Sequence, residues 1–194
     1  MRPSLHYLLY RLGLATAETQ TTQAERDCIA RHAAGKRTAV EVGVWHGVTT
    51  CRIACALQES GVLYAVDNYL PGRFGFNYQQ QIALRETRCH GDKVQFVVAG
   101  SEAAATRLRK EIGATLEFVF LDGDHSYRGI ETDWRCWSGL LVSGGIIALH
   151  DSRSTPELNL GDTGTVIFMG EVIRQDSRFE LIEEVDSLSV LRRR

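Results

Sequence analysis

From residue 38 to the end of the chain, short apolar runs alternate with longer stretches of helical periodicity. The runs cover residues 39–44, 62–66, 94–98, 116–121 and 146–149. Each is too short to be a helix and is rich in β-branched or aromatic residues. Five such runs separated by helical segments predict parallel strands with helices on both faces. After a helix predicted over 165–174, the runs 179–185 and 188–191 are only about two residues apart, so those strands must pair antiparallel.

Local signals mark where the helices start and stop. Thr22 followed by Glu25 forms a capping box, the helix it opens passes through Cys28 and Ile29, and Gly35 ends it. Asn77 opens a Gln-rich helix that runs to about Cys89. Ser101 caps a helix over 102–111 that Gly113 stops. Near the start, Leu5, Leu8, Leu9 and Leu12 recur at helical spacing and predict an amphipathic helix whose apolar face covers the site or meets a second copy of the chain. Together these elements give an α/β, Rossmann-like doubly wound sheet, seven-stranded and mostly parallel, with a C-terminal antiparallel hairpin. Residues 1–36 form a helical segment packed on the domain made by 37–194.

The 194 residues and their near-average apolar content suffice for one core and leave little room for a second domain. A formal charge of -2 and the lack of a long basic run argue against a nucleic-acid partner. Five cysteines without metal-ligand spacing fit a reducing cytoplasm. Cys51 and Cys55, four apart, read as small buried thiols on one helix face. Arg2 ahead of an apolar stretch and Ala15-Thr16-Ala17 imitates a secretory leader, but His6 and Arg11 interrupt it. No stretch approaches the roughly 20 apolar residues a membrane span needs, so no membrane partner is expected.

The first strand ends in Glu41-Val42-Gly43-Val44-Trp45-His46-Gly47 and enters a helix. Gly43 and Gly47 let backbone come close to a ligand. The spacing is GxxxG rather than GxGxxG, and an acid precedes the first glycine. A dinucleotide needs its pyrophosphate at the helix N-terminus, whereas Glu41 suits a cationic group. Asp67, at the tip of the second strand and about 20 residues further on, can accept both hydroxyls of a ribose. Ser101 follows the third strand and Asp122 ends the fourth. Ser101 caps the helix that follows while its backbone borders an adenine.

Glu41-Val42-Gly43, Asp67, Gly100-Ser101-Glu102 and Phe120-Leu121-Asp122 end four successive strands, where open α/β sheets bind ligands. From Thr38 to Arg192 the chain resembles a class I S-adenosylmethionine-dependent methyltransferase. Asp122-Gly123-Asp124-His125-Ser126-Tyr127 and Gly144-Gly145 through His150-Asp151 are similar to the metal-dependent subfamily of macrolide-sugar and cephalosporin-pathway O-methyltransferases. The resemblance implies S-adenosylmethionine held by Glu41, Gly43, Gly47, Asp67, Ser101 and Asp122, and a divalent metal held by Asp122, His150 and Asp151. It further implies His125 as the base for an acceptor hydroxyl.

His150 departs from that subfamily, whose members commonly have an oxygen ligand there. Oxygen suits magnesium and imidazole suits a transition metal, so the metal's identity stays open. The aromatic segment 69–78 and the segment 152–164 are the expected walls of an acceptor pocket for a sugar or secondary-metabolite intermediate. N-methylation, a nucleotide-dependent oxidoreductase on a related sheet and a non-catalytic cofactor-binding protein are the competing readings.

Overall fold

The computed structural model describes residues 2–72 and 75–194. Seven strands form one sheet, β1 (Thr38–Val42), β2 (Val62–Asp67), β3 (Val94–Val98), β4 (Leu116–Leu121), β5 (Leu141–Leu149), β6 (Phe179–Val185) and β7 (Leu188–Arg193). Their order is β3-β2-β1-β4-β5-β7-β6. β1 to β5 pair in parallel, and β7 lies antiparallel between β5 and β6.

Alternation along each strand produces two cores. On one face Val40, Val42, Val119, Leu121 and Ile147 pack with Leu108 of α5 (Ser101–Ile112), Trp134 and Trp137 of α6 (Tyr127–Trp137) and Phe168 of α7 (Gly164–Glu171). On the other, Ala39, Phe118, Phe120 and Ala148 pack with Ile29 of α2 (Gln23–Ala33), Ile53 of α3 (Val48–Ala56) and Ala83 of α4 (Tyr78–Glu86). A strand covered on both faces reads as continuously apolar because both of its side-chain rows are buried.

Several boundaries differ from the expected ones, each for a local reason. β1 stops at Val42 because Gly43 turns to φ +88 and ends the extended backbone. β5 begins five residues early and absorbs a register shift opposite Leu116 and Phe118, with Gly144 at φ +77. Ser101 is the first residue of α5, whose cap position is Gly100, so its hydroxyl is free for another partner. Cys51 is partly exposed and Cys55 exposed, because α3 turns Thr49, Thr50, Ile53 and Ala54 inward instead.

The first helix, α1 (Pro3–Arg11), forms as its spacing predicts, but its orientation is unexpected. Leu5, Leu8 and Leu12 face solvent, and the buried residue is His6. Tyr7 packs against Phe76 and Tyr78, which fastens α1 beside α4. Among the described residues no helix is long and apolar enough to cross a membrane.

Candidate active site

The strand order reverses between β1 and β4, and there the carboxyl ends of the parallel strands border a cleft of about 680 Å³. Its floor is the turn from β1 to α3. Gly43, Trp45 and Gly47 all have positive φ, at +88, +48 and +79. A side chain at Gly43 would sit 1.9 Å from the Asp122 carbonyl oxygen, so the glycine allows β1 and β4 to close upon each other while its backbone still lines the cleft. Gly47 does not line it: the hydrogen in place of a side chain faces Ala83 of α4.

Asp67 folds back over this turn. One carboxylate oxygen accepts the amides of Val44 and Trp45 at 2.9 and 3.1 Å, and the other accepts that of Tyr69 at 2.9 Å. A carboxylate offers about four acceptor positions, so one remains for a ligand. Tyr69 is buried and donates its hydroxyl to the Trp45 carbonyl at 3.2 Å.

Glu41 lies beneath the same turn, fully buried, and neither carboxylate oxygen has a hydrogen-bond partner among the described residues. Burial drives its pKa well above the usual carboxylate range. The nearby Thr50 hydroxyl, itself without a bonded partner, opposes the shift, and the negative charges of Asp122 and Asp67 add to it. A buried acid without a donor is costly unless a ligand supplies one.

On the far side of the cleft Ser101 donates its hydroxyl to Asp133 of α6 and accepts the Trp137 indole N–H at 3.2 Å. The Trp137 bond fixes the direction in which Ser101 donates. Burial raises the Asp133 carboxyl to about 6, against the opposing pull of Ser101.

Beside Asp122 the tips of β4 and β5 gather four ionisable side chains. His150 Nδ1 stands 2.9 Å from Asp122 Oδ1 and 3.7 Å from Asp151 Oδ1. His125 bridges the same two acids, with Nε2 3.4 Å from Asp122 and Nδ1 3.3 Å from Asp151. Asp151 holds a φ of +49, a conformation uncommon for a residue with a side chain.

Glu25 joins this cluster from α2. It faces His150 Nε2 at 3.4 Å and accepts the amide and hydroxyl of Ser187 at 2.9 and 2.7 Å. Burial works to raise Glu25, but the bonds from His150, Thr22 and Ser187 outweigh it and bring it down to about 2. Burial likewise works to lower His150, and Asp122 and Glu25 overcome this and lift it to about 10. His125 is also raised, first by its bond to Asp122.

Asp122, His125 and His150 each direct a ligating atom to within 4.8 Å of the others. Two imidazoles and one carboxylate fit a divalent transition ion better than magnesium. Glu25 at His150 Nε2 is the kind of partner that orients a metal-bound imidazole. Of the trio expected from the sequence, Asp122 and His150 belong to this group, while Asp151 sits nearer His125 than His150.

Among the described residues, none of 69–78 or 152–164 lines the cleft, whereas Glu18, Thr19 and Gln20 do. That strap, together with Asp133 and Glu25, escaped sequence reasoning. Only Glu25 left a signal there, and it read as a helix cap.

The methyltransferase domain family matches residues 40–152, from β1 past the tip of β5. Among solved structures the chain is similar to an O-methyltransferase from Bacillus cereus in complex with S-adenosylhomocysteine, at a TM-score of 0.64 and 15% identity, over 100% of this chain and 91% of that one. It is also similar to a TDP-rhamnose 3'-O-methyltransferase of calicheamicin biosynthesis, at 0.63 and 17%, over 87% and 77%. A third likeness is to an rRNA methylase from Streptococcus thermophilus, at 0.59 and 13%, over 90% and 99%. At these identities the likeness is one of fold.

Proposed function

The chain belongs to the methyltransferase domain family, and we propose that it transfers the methyl group of S-adenosylmethionine to a hydroxyl of a small molecule, such as a sugar or a secondary-metabolite intermediate. The observation that carries this reading is the cluster of Asp122, His125, His150 and Asp151 at the edge of the donor cleft.

The donor fits the residues of the cleft. Glu41 has two buried oxygens without donors, suited to the cationic end of S-adenosylmethionine. Asp67 keeps an acceptor position for the ribose hydroxyls, and Ser101 and Asp133 border the side left for the adenine. The GxxxG spacing, with Glu41 ahead of the first glycine, argues against a pyrophosphate cofactor.

At the reacting end His125 is the proton acceptor. An alcohol is a weak nucleophile at neutral pH, and removing its proton as the carbon–oxygen bond forms lowers the barrier. Asp122 and Asp151 orient the imidazole and stabilise its charged form, so His125 accepts a proton readily but is deprotonated beforehand only at higher pH than a free imidazole. A divalent ion held by Asp122, His150 and Asp151 would acidify the acceptor hydroxyl and leave His125 free as the base. To ligate such an ion through Nδ1, His150 would have to release to solvent the proton it shares with Asp122.

A small acceptor is favoured over nucleic acid by the net charge of -2. The test is formation of S-adenosylhomocysteine across a panel of hydroxylated sugars, phenols and amines, with an RNA arm. Turnover confined to hydroxyl acceptors supports the reading; turnover confined to amines or RNA would overturn it.

A further inference from the structure

Away from the reacting cluster, three ligand-type side chains from separate parts of the chain meet under the donor cleft. His6 comes from α1, Glu18 from the strap that lines the cleft, and His46 from the glycine turn. Each offers a ligating atom within 4.8 Å of the others. The imidazoles of His6 and His46 lie parallel with centroids 5.1 Å apart. His6 Nδ1 is 3.4 Å from a Glu18 carboxylate oxygen, too poorly directed to be a hydrogen bond.

The informative residue is His6. It is the one buried residue of α1, whose Leu5 and Leu8 face water, and both of its ring nitrogens are buried without a hydrogen-bond partner among the described residues. Packing alone does not account for an imidazole there. An apolar side chain would fill the place without the cost of two unsatisfied polar atoms. We propose that His6, Glu18 and His46 form a second site, one that binds a divalent transition-metal ion such as zinc and ties α1 and the strap to the floor of the donor cleft.

The donor chemistry selects the ion. Two imidazole nitrogens and one carboxylate suit zinc, cobalt or nickel, and leave a fourth position open. His6 can turn toward an ion without losing a bond. His46 Nδ1 accepts the Glu18 amide at 3.0 Å, which makes its ring neutral, the state a metal requires. An ion taking that lone pair exchanges the amide for the carboxylate of the same residue. Glu18 is about half exposed and provides the way in. Trp45, which lines the cleft, stacks on His46 at 4.7 Å, so occupancy is felt at the cleft wall and can be read from it.

The site shares no residue with the acceptor cluster or with the ion proposed at Asp122. The experiment is a titration of the full chain with cobalt alone in an Asp122→Asn background, followed by visible absorption and tryptophan fluorescence. One saturable equivalent, displaced by zinc, is expected. His6→Phe keeps the ring but removes both nitrogens, and should abolish that equivalent. Glu18→Gln should weaken it by about tenfold or more, the loss that removing even an outer-shell partner can cause. Glu18 is exposed enough that its variant decides the matter if His6→Phe fails to fold. Absence of saturable binding, or binding that neither variant weakens, overturns the proposal.

Discussion

The Glu25 carboxylate faces His150 Nε2 across 3.4 Å, with both side chains almost wholly buried. This contact joins the second helix to the tip of the fifth strand. It also makes the His150 imidazole depend on a helix that the methyltransferase match, which begins at residue 40, does not include.

Removing the charge from this pair should therefore be felt in stability. Glu25→Gln keeps an acceptor for Ser187 but removes the one acid that faces His150 Nε2, leaving the imidazole's charge to Asp122 and Asp151 at Nδ1. Breaking a buried pair from one side typically costs about 3 to 5 kcal/mol. Urea unfolding at neutral pH should show a loss of that order. A change within about 0.5 kcal/mol would mean that Glu25 and His150 do not form an ion pair.

For Asp67→Asn the expected effect is on the donor. The substitution removes negative charge from an acceptor of three backbone amides and of the proposed ribose hydroxyls. Hydrogen bonds to a charged group contribute about 1.5 to 3 kcal/mol each, so S-adenosylhomocysteine should bind roughly tenfold to a hundredfold more weakly by calorimetry. Unchanged affinity would take Asp67 out of the donor site.

Gly43→Ala tests the close approach of β1 to β4. A methyl group there meets the Asp122 carbonyl at 1.9 Å on a backbone at φ +88, so strands must separate to admit it. The variant should be recovered poorly or melt well below the parent in a thermal scan. A parent-like melting temperature would contradict the packing at this turn.

Asp133 supplies the pH dependence. Burial raises its carboxyl to about 6 in the folded chain, against about 3.9 for an unfolded Asp. The native state thus holds this proton more tightly, and the associated stability is full below about pH 4 and lost as pH rises through about 6. At about 1.4 kcal/mol per pH unit, Asp133→Asn should be more stable than the parent at pH 7 by about 2 to 3 kcal/mol and equal to it at pH 4. Denaturant melts at the two pH values read this directly, and equal differences at both would refute it.

Chemistry should fail selectively at His125. Replacing a base by alanine typically lowers turnover by about 10² to 10⁴, while donor affinity should hold. Parallel assays with chelator, then with magnesium, manganese or zinc restored singly, separate the base from a metal. Full activity in chelator would remove the metal from the reaction.

Much of this was legible in the sequence because it depends on neighbours along the chain. The five parallel strands, the C-terminal hairpin and the Thr22 to Glu25 cap rest on periodicity and short-range hydrogen bonding, and the structure differs from them by a few residues at the ends. Glu41, Asp67, Asp122 and His125 could be chosen in advance because parallel strands deliver their carboxyl ends to one edge of the sheet. What only the tertiary structure decided is which side of each element faces inward and what meets it there. The leucines of α1 had the apolar periodicity, yet its buried residue is His6, because α1 docks on α4 through Tyr7 and turns those leucines outward. Glu25 was visible as a cap, and its second role arises only where α2, the turn before β7 and the tip of β5 converge. Periodicity reports how apolar a face is; burial of an imidazole or a carboxylate depends on a partner brought from far away in the chain, and no local pattern encodes that meeting.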